Sequence, residues 1–270
     1  MSSRTIGFEI ETNLTVDDML PHLEDVIRSN GKHQLTTREE HDNRWNLKSE
    51  HCGSEITSPV MNSTEEDLEH IKDVIETLRR RICRTEHNII DRHCGLHVHI
   101  GLNDFNLVHL RNLYLIVYHF EDVLFSLQPS SREDNDYVNH LKNEVNIDDV
   151  KRQRNFGSNS PYRDHYLGLN VEGWMNRKTC EFRYASSTIR HQKLLNWIKL
   201  LVCLVECARS KSRIIDCLML ERDYPVTIDG LSTFMRSHTF TKSTWLQSKQ
   251  DELKTWMTNR IQELRTRDDS

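Results

Sequence analysis

Several absences narrow the field before any residue is singled out. Glycine (9) and proline (5) are scarce in 270 residues, and no Gly/Pro/Ser-rich stretch, repeat or low-complexity tract divides the chain. A flexible linker between domains is therefore not expected, and residues 1–270 read as one domain. No run of about 20 apolar residues could span a bilayer. The longest greasy stretch, Leu194 to Ala208, contains Lys199 and Glu206 and reads as a buried helix. No apolar targeting segment follows Met1, so the expected compartment is the cytoplasm, with no membrane partner. The seven cysteines include no CxxC spacing, which argues against a disulfide framework or a zinc ribbon and for reduced thiols. There is no excess of positive charge: 36 basic against 41 acidic residues give a net charge of -5, so nucleic acid is not an expected partner. Neither a Walker P-loop nor a GxGxxG is present. Apolar residues are few, at 36% against the usual share of about 45–50%. Five Trp, seven Tyr and eight Phe nevertheless supply the bulk for a packed core.

Periodicity gives an alternating set of elements. Arg4 to Thr12 reads as a strand, and Met19, Leu20, Leu23, Val26 and Ile27 recur at helical spacing between Val16 and Ser29. Trp45–Leu47 and Glu55–Ser58 read as short strands around a turn at Cys52-Gly53. Ser63 with Glu66 has the pattern of a capping box, opening a helix that buries Leu68, Ile71, Val74, Ile75, Leu78 and Ile82. Leu96–Ile100 is a strand and Leu107–Leu127 a long helix. Residues 128–165 are polar and loop-rich, and 146–165 reads equally as a lid or as a plain surface loop. Tyr166–Val171 and Thr179–Tyr184 read as a strand pair. From His191 the pattern is helical, ending in a stripe of Leu253, Trp256, Met257, Ile261 and Leu264. This order predicts an α+β fold with a curved, largely antiparallel sheet, a core over residues 4–197 and a helical extension over about 190–267.

Three of the strands carry ionisable residues two apart among apolar neighbours: Gly7-Phe-Glu9-Ile-Glu11, Gly95-Leu-His97-Val-His99-Ile-Gly101 and Cys180-Glu181-Phe-Arg183-Tyr. Side chains at i and i+2 of a strand share a face. Ile10, Val98 and Phe182 then point into the core, and the other face collects Glu9, Glu11, His97, His99, Glu181 and Arg183. Glu55, in Cys52-Gly-Ser-Glu55-Ile-Thr-Ser-Pro59, is a fourth carboxylate. Clustered carboxylates repel one another unless cations neutralise them. A carboxylate-rich set with few imidazoles suits hard ions such as Mg²⁺ or Mn²⁺ better than zinc.

Taken in order, GFEIE, CGSEITSP, CGLHVHIG and TCEFRYASST resemble the amidoligase family, ATP-dependent carboxylate–amine ligases of the glutamine synthetase and γ-glutamylcysteine synthetase superfamily. The resemblance covers residues 7–197. It implies a glutamine synthetase-like catalytic domain, with ATP and two or more Mg²⁺ or Mn²⁺ ions on the polar face of the sheet and helices packed on the other. It further implies that Glu9, His97 and Glu181 hold an ion bridging the nucleotide phosphates, and that Glu11 and Glu55 hold a second. His99, Arg183 and Arg163 would contact the nucleotide, and Arg132 the γ-phosphate or the substrate carboxylate, with Arg132, Arg183 and His99 in the catalytic group. The family commonly shows an Asp between the positions of Trp45 and Cys52. Here the stretch Asn46-Leu-Lys48-Ser49-Glu50-His51 is one residue shorter, and Glu50 is the candidate replacement.

The reaction such residues would serve is activation of a carboxylate as an acyl phosphate, followed by attack of an amine. Metal ions and arginines suit it because phosphoryl transfer to an anion brings like charges together. The partners are an acid and an amine, each a small molecule, peptide or protein. Two alternatives stand beside it. One is a zinc-dependent hydrolase using the His97/His99 pair, which leaves the carboxylates and Arg183 unexplained. The other is a non-catalytic nucleotide-binding relative.

Overall fold

The computed structural model describes residues 3–37, 43–83, 89–133, 137–154, 156, 166–238 and 244–268. In order these form β1 (Thr5–Thr12), α1 (Val16–Asn30), β2 (Leu35–Thr36), β3 (Trp45–Glu50), β4 (Gly53–Thr57), β5 (Met61–Asn62), α2 (Glu65–Ile82), β6 (Gly95–Gly101) and α3 (Leu107–Ser126). There follow α4 (Ser130–Glu133), α5 (Leu141–Glu144), α6 (Ile147–Arg152), β7 (Leu169–Asn170), α7 (Trp174–Arg177), β8 (Thr179–Ser186), α8 (His191–Arg209), α9 (Cys217–Asp223), α10 (Ile228–His238) and α11 (Thr244–Asp268). The fold is mixed α+β, as the sequence predicts. Among the described residues, β1 pairs antiparallel with β4, β5 and β6, β3 with β4 and β7 with β8, whereas β2 pairs parallel with β3. Among the described residues no helix is long and apolar enough to cross a membrane.

Two compact units divide the chain, one of Ser3–Gly101 with Ala185–Trp197, the other of Leu102–Tyr184 with Ile198–Ser270. The first is strand-rich. Its strands run in the order β2-β3-β4-β1-β6, with β5 also on β1. In β1 burial alternates strictly: Ile6, Phe8 and Ile10 are fully sequestered while Glu9 and Glu11 face the other way. Phe8 meets the buried Trp45 of β3 edge-on, with ring centres 5.7 Å apart, a contact worth about 0.5–1.5 kcal/mol beyond burial. Helix α1 buries Met19, Leu23, Val26 and Ile27 and packs against β3, β4 and α2. The turn from β3 to β4 rests on Gly53. Its φ is 143°, and a Cβ there would lie 2.6 Å from the Thr12 carbonyl oxygen, so only glycine lets the hairpin close against the end of β1.

The expected capping box at Ser63 moves by one residue. Thr64 caps α2 by accepting from the Asp67 amide, because the Ser63 hydroxyl is taken by the backbone N–H of Arg4 at 3.0 Å. Strand β3 extends past Leu47 to Glu50, and the two-residue strands β2 and β5 lie where the sequence shows no alternation.

The second unit is built around α3, which touches α4, α5, α6, α9 and α10. The region read as loop thus contains three short helices. Of the expected strand pair, the first member shrinks to Leu169–Asn170, with Asn170 opposite Glu181. The buried carboxylate of Glu121 on α3 accepts from the amides of Leu141 (2.7 Å) and Lys142 (3.0 Å) and from the Tyr184 hydroxyl (2.8 Å). It thereby fixes the start of α5 to α3 and β8. Of the stripe expected on α11, Leu253, Met257 and Leu264 are buried, while Trp256 and Ile261 are half-buried.

Candidate functional site

Within the strand-rich unit, the register of three strands assembles the acidic face. Glu9 lies opposite His97 across β1 and β6, and Glu11 opposite Glu55 across β1 and β4. Their side chains therefore meet as cross-strand neighbours. The Glu9 carboxylate lies between two imidazoles, 3.1 Å from His97 Nδ1 and 3.2 Å from His99 Nε2. Burial works against its charge, but hydrogen bonding and attraction from His97 and His99 hold the Glu9 carboxyl well below the usual carboxylate range. Glu11 accepts the Gly95 amide at 2.5 Å and lies 3.8 Å from His97 Nε2. Its backbone carbonyl accepts the Ser187 hydroxyl at 2.6 Å.

Glu55 is 3% exposed. Burial, and then the charge of Glu9, push its carboxyl above the usual range, against the opposing pull of Lys48 and Thr57. The Thr57 hydroxyl donates to it at 2.8 Å. Lys48, on β3 opposite Glu55, brings its ammonium to 3.1 Å from Glu55 and 3.3 Å from Glu50. Burial opposes that charge, yet Glu55, with Glu9 and Glu50, raises the Lys48 pKa. Lys48 is a residue of this face that the strand reading passed over. The signal was present: Asn46, Lys48 and Glu50 alternate with buried Trp45 and Leu47, so they share the face of Glu55. Glu50, the candidate for the family Asp, is engaged with Lys48.

A ligand atom from each of Glu9, Glu55 and His97 lies within 4.8 Å of the others. Oxygen ligands on opposite sides of an octahedral Mg²⁺ stand about 4.2 Å apart, so a small closure of these side chains would bring them to one ion. Two carboxylates and one imidazole suit a hard or borderline dication. Among the described residues, no group of three candidate ligands contains both His97 and His99.

The remaining expected residues lie in the helical unit. Glu181 pairs with Arg183 Nη1 at 2.5 Å and accepts from Asn170 at 3.2 Å. Arg132, 1% exposed, donates from Nη2 to the Arg183 carbonyl at 2.9 Å. Arg163, and with it residues 157–165 of the expected lid, lies outside the described residues. The start of that segment is α6, which packs on α3.

No curated protein matches the chain. The family model described as "Putative amidoligase enzyme" matches residues 25–205, about two thirds of the sequence. The matched stretch holds Glu55, His97, His99, Arg132, Arg163, Glu181 and Arg183, whereas Glu9 and Glu11 precede it. The match bears out the resemblance carried by the strand motifs: the chain belongs to the amidoligase family.

Proposed function

We propose that the protein is an ATP- and Mg²⁺-dependent carboxylate–amine ligase that forms an amide or isopeptide bond through an acyl phosphate. The observation that carries this reading is the convergence of Glu9, Glu55 and His97 on one sheet face in a chain of the amidoligase family. The finer expectation of a glutamine synthetase-type catalytic domain is part of the same proposal. Membership of the family supports ligase chemistry, and the donor set supports the metal.

In this reading Glu9, Glu55 and His97 hold a divalent cation, with Glu11 beside them as a ligand to a second. Bound there, the cation supplies charge neutralisation to phosphate oxygens during transfer to a carboxylate. Lys48 balances Glu55 in the metal-free protein. His99, the more exposed of the two imidazoles, is the one open to a phosphate group. Arg183 contacts phosphate oxygens as a planar multi-donor held in orientation by Glu181. The burial of Arg132 and its bond to the Arg183 carbonyl favour a bracing role over direct contact with substrate. Because His97 and His99 are each turned to Glu9, the arrangement supports the ligase over a zinc hydrolase built on the pair.

The test is to supply acid–amine pairs with MgATP and measure ADP formation together with the condensed product. Coupled ADP and amide formation, lost in Glu9→Gln, is expected. Amide hydrolysis without ATP would favour the zinc hydrolase. Nucleotide binding with no turnover for any pair would favour the non-catalytic relative.

A further inference from the structure

A second set of metal-ligating side chains lies where α1 hands over to β2. Gly31 ends α1 in the left-handed region, at φ 70°, where glycine carries no Cβ penalty. Lys32 then donates to Asp67 at 2.7 Å and lies 3.5 Å from Glu66, tying this loop to the first turn of α2. His70 is three residues beyond Asp67, on the same side of the helix, and there it meets His33. The two ring centres are 5.4 Å apart, with their planes at 57°. The Nε2 atoms of both rings are buried and, among the described residues, have no hydrogen-bond partner.

A buried nitrogen without a partner is destabilising, and one ligand shared between the two neighbouring rings would satisfy both. An ion about 2.1 Å from each nitrogen would lie about 3.2 Å from each ring centre, and a near-tetrahedral angle would then separate the centres by roughly 5.2 Å. The observed separation fits. Burial, then the neighbouring Lys32, hold both rings below the usual histidine range, so they are neutral near pH 7. Lys32 opposes added positive charge here, but Asp67 and Glu66 already engage it, and Asp67 and Asp73 attract a cation toward His70.

We propose that His33 and His70 form a two-imidazole site for a transition-metal dication of the Zn²⁺, Ni²⁺ or Cu²⁺ class, with water completing its coordination. The ion fastens the loop between α1 and β2 to α2. A pair of imidazoles with no carboxylate ligand suits hard Mg²⁺ poorly; the site shares no residue with the acidic face and stands independently of the ligase reading.

The full chain, stripped with chelator and returned to millimolar Mg²⁺ to fill the carboxylate site, is titrated with Ni²⁺ by calorimetry. The wild type is expected to bind one more equivalent than His33→Gln or His70→Gln, whose affinity at this site falls about tenfold or more. In parallel, Zn²⁺ added to the wild type in the same buffer should shift the imidazole ¹⁵N resonances of both His33 and His70, a readout that requires no variant. Equal Ni²⁺ binding by wild type and both variants, or unmoved His33 and His70 resonances under Zn²⁺, would overturn the proposal.

Discussion

Replacing Lys48 with Met tests whether the acidic face is built for a cation. Methionine keeps an unbranched stem while removing the ammonium 3.1 Å from Glu55 and 3.3 Å from Glu50. With an effective dielectric near 20, a pair at 3.1 Å has a Coulomb energy of about 5 kcal/mol. The Lys48 side chain is 37% exposed, so solvent screening and the relieved desolvation of the ammonium reduce the net loss to about 1–2 kcal/mol. In chelator, Lys48→Met should therefore melt below the wild type by roughly 2–8 °C. Saturating Mg²⁺ should close this gap, because the ion replaces the missing charge and no longer competes with an ammonium for Glu55. A tenfold tighter metal affinity in the variant would return about 1.4 kcal/mol. Thermal melts of both proteins in both buffers decide the matter. An equal deficit with and without Mg²⁺ would make Lys48–Glu55 an ordinary structural ion pair and refute the reasoning.

Arg183→Lys should lower ligase turnover by about a hundredfold or more, the scale of losing one well-placed donor to a developing charge. It should melt close to the wild type, because lysine can still pair with Glu181; turnover near the wild-type level would reduce Arg183 to that pair. Glu121→Gln should cost about 1–3 kcal/mol, since an amide cannot accept from both the Leu141 and Lys142 amides and the Tyr184 hydroxyl. Burial raises the Glu121 carboxyl above its ordinary value, so its contribution is full below the unfolded pKa of about 4.3 and is lost as pH rises through the higher folded pKa. The stability gap between the two proteins should thus be widest near pH 4 and narrow toward neutrality, as denaturant melts across that range would show.

The acidic face was legible in the sequence because strand periodicity is strict: once Ile6, Phe8 and Ile10 are buried, Glu9 and Glu11 have one direction left. The same rule would have yielded Lys48, had the strand at Trp45 been followed past Leu47 to Glu50. Other features depend on contacts distant in sequence. Ser63 has the local pattern of a helix cap, but the Arg4 amide claims its hydroxyl and the cap falls to Thr64. Strands β2 and β5 are two residues each, too short for any alternation to register. Glu121 sits in a stretch read simply as a long helix, and its role emerges only when α5 and β8 come beside it. The pairing of His33 with His70 depends on the Gly31 turn and the Lys32–Asp67 bond, which no periodicity announces.

Ligase function as proposed requires this sheet face to bind nucleotide through divalent metal held by its own carboxylates. Calorimetry with ATP addresses it most directly, comparing wild type in chelator, wild type in Mg²⁺, and Glu9→Gln in Mg²⁺. Little heat is expected in the first, saturable binding in the second and strongly weakened binding in the third. Equal ATP affinity in chelator and in Mg²⁺ would contradict it.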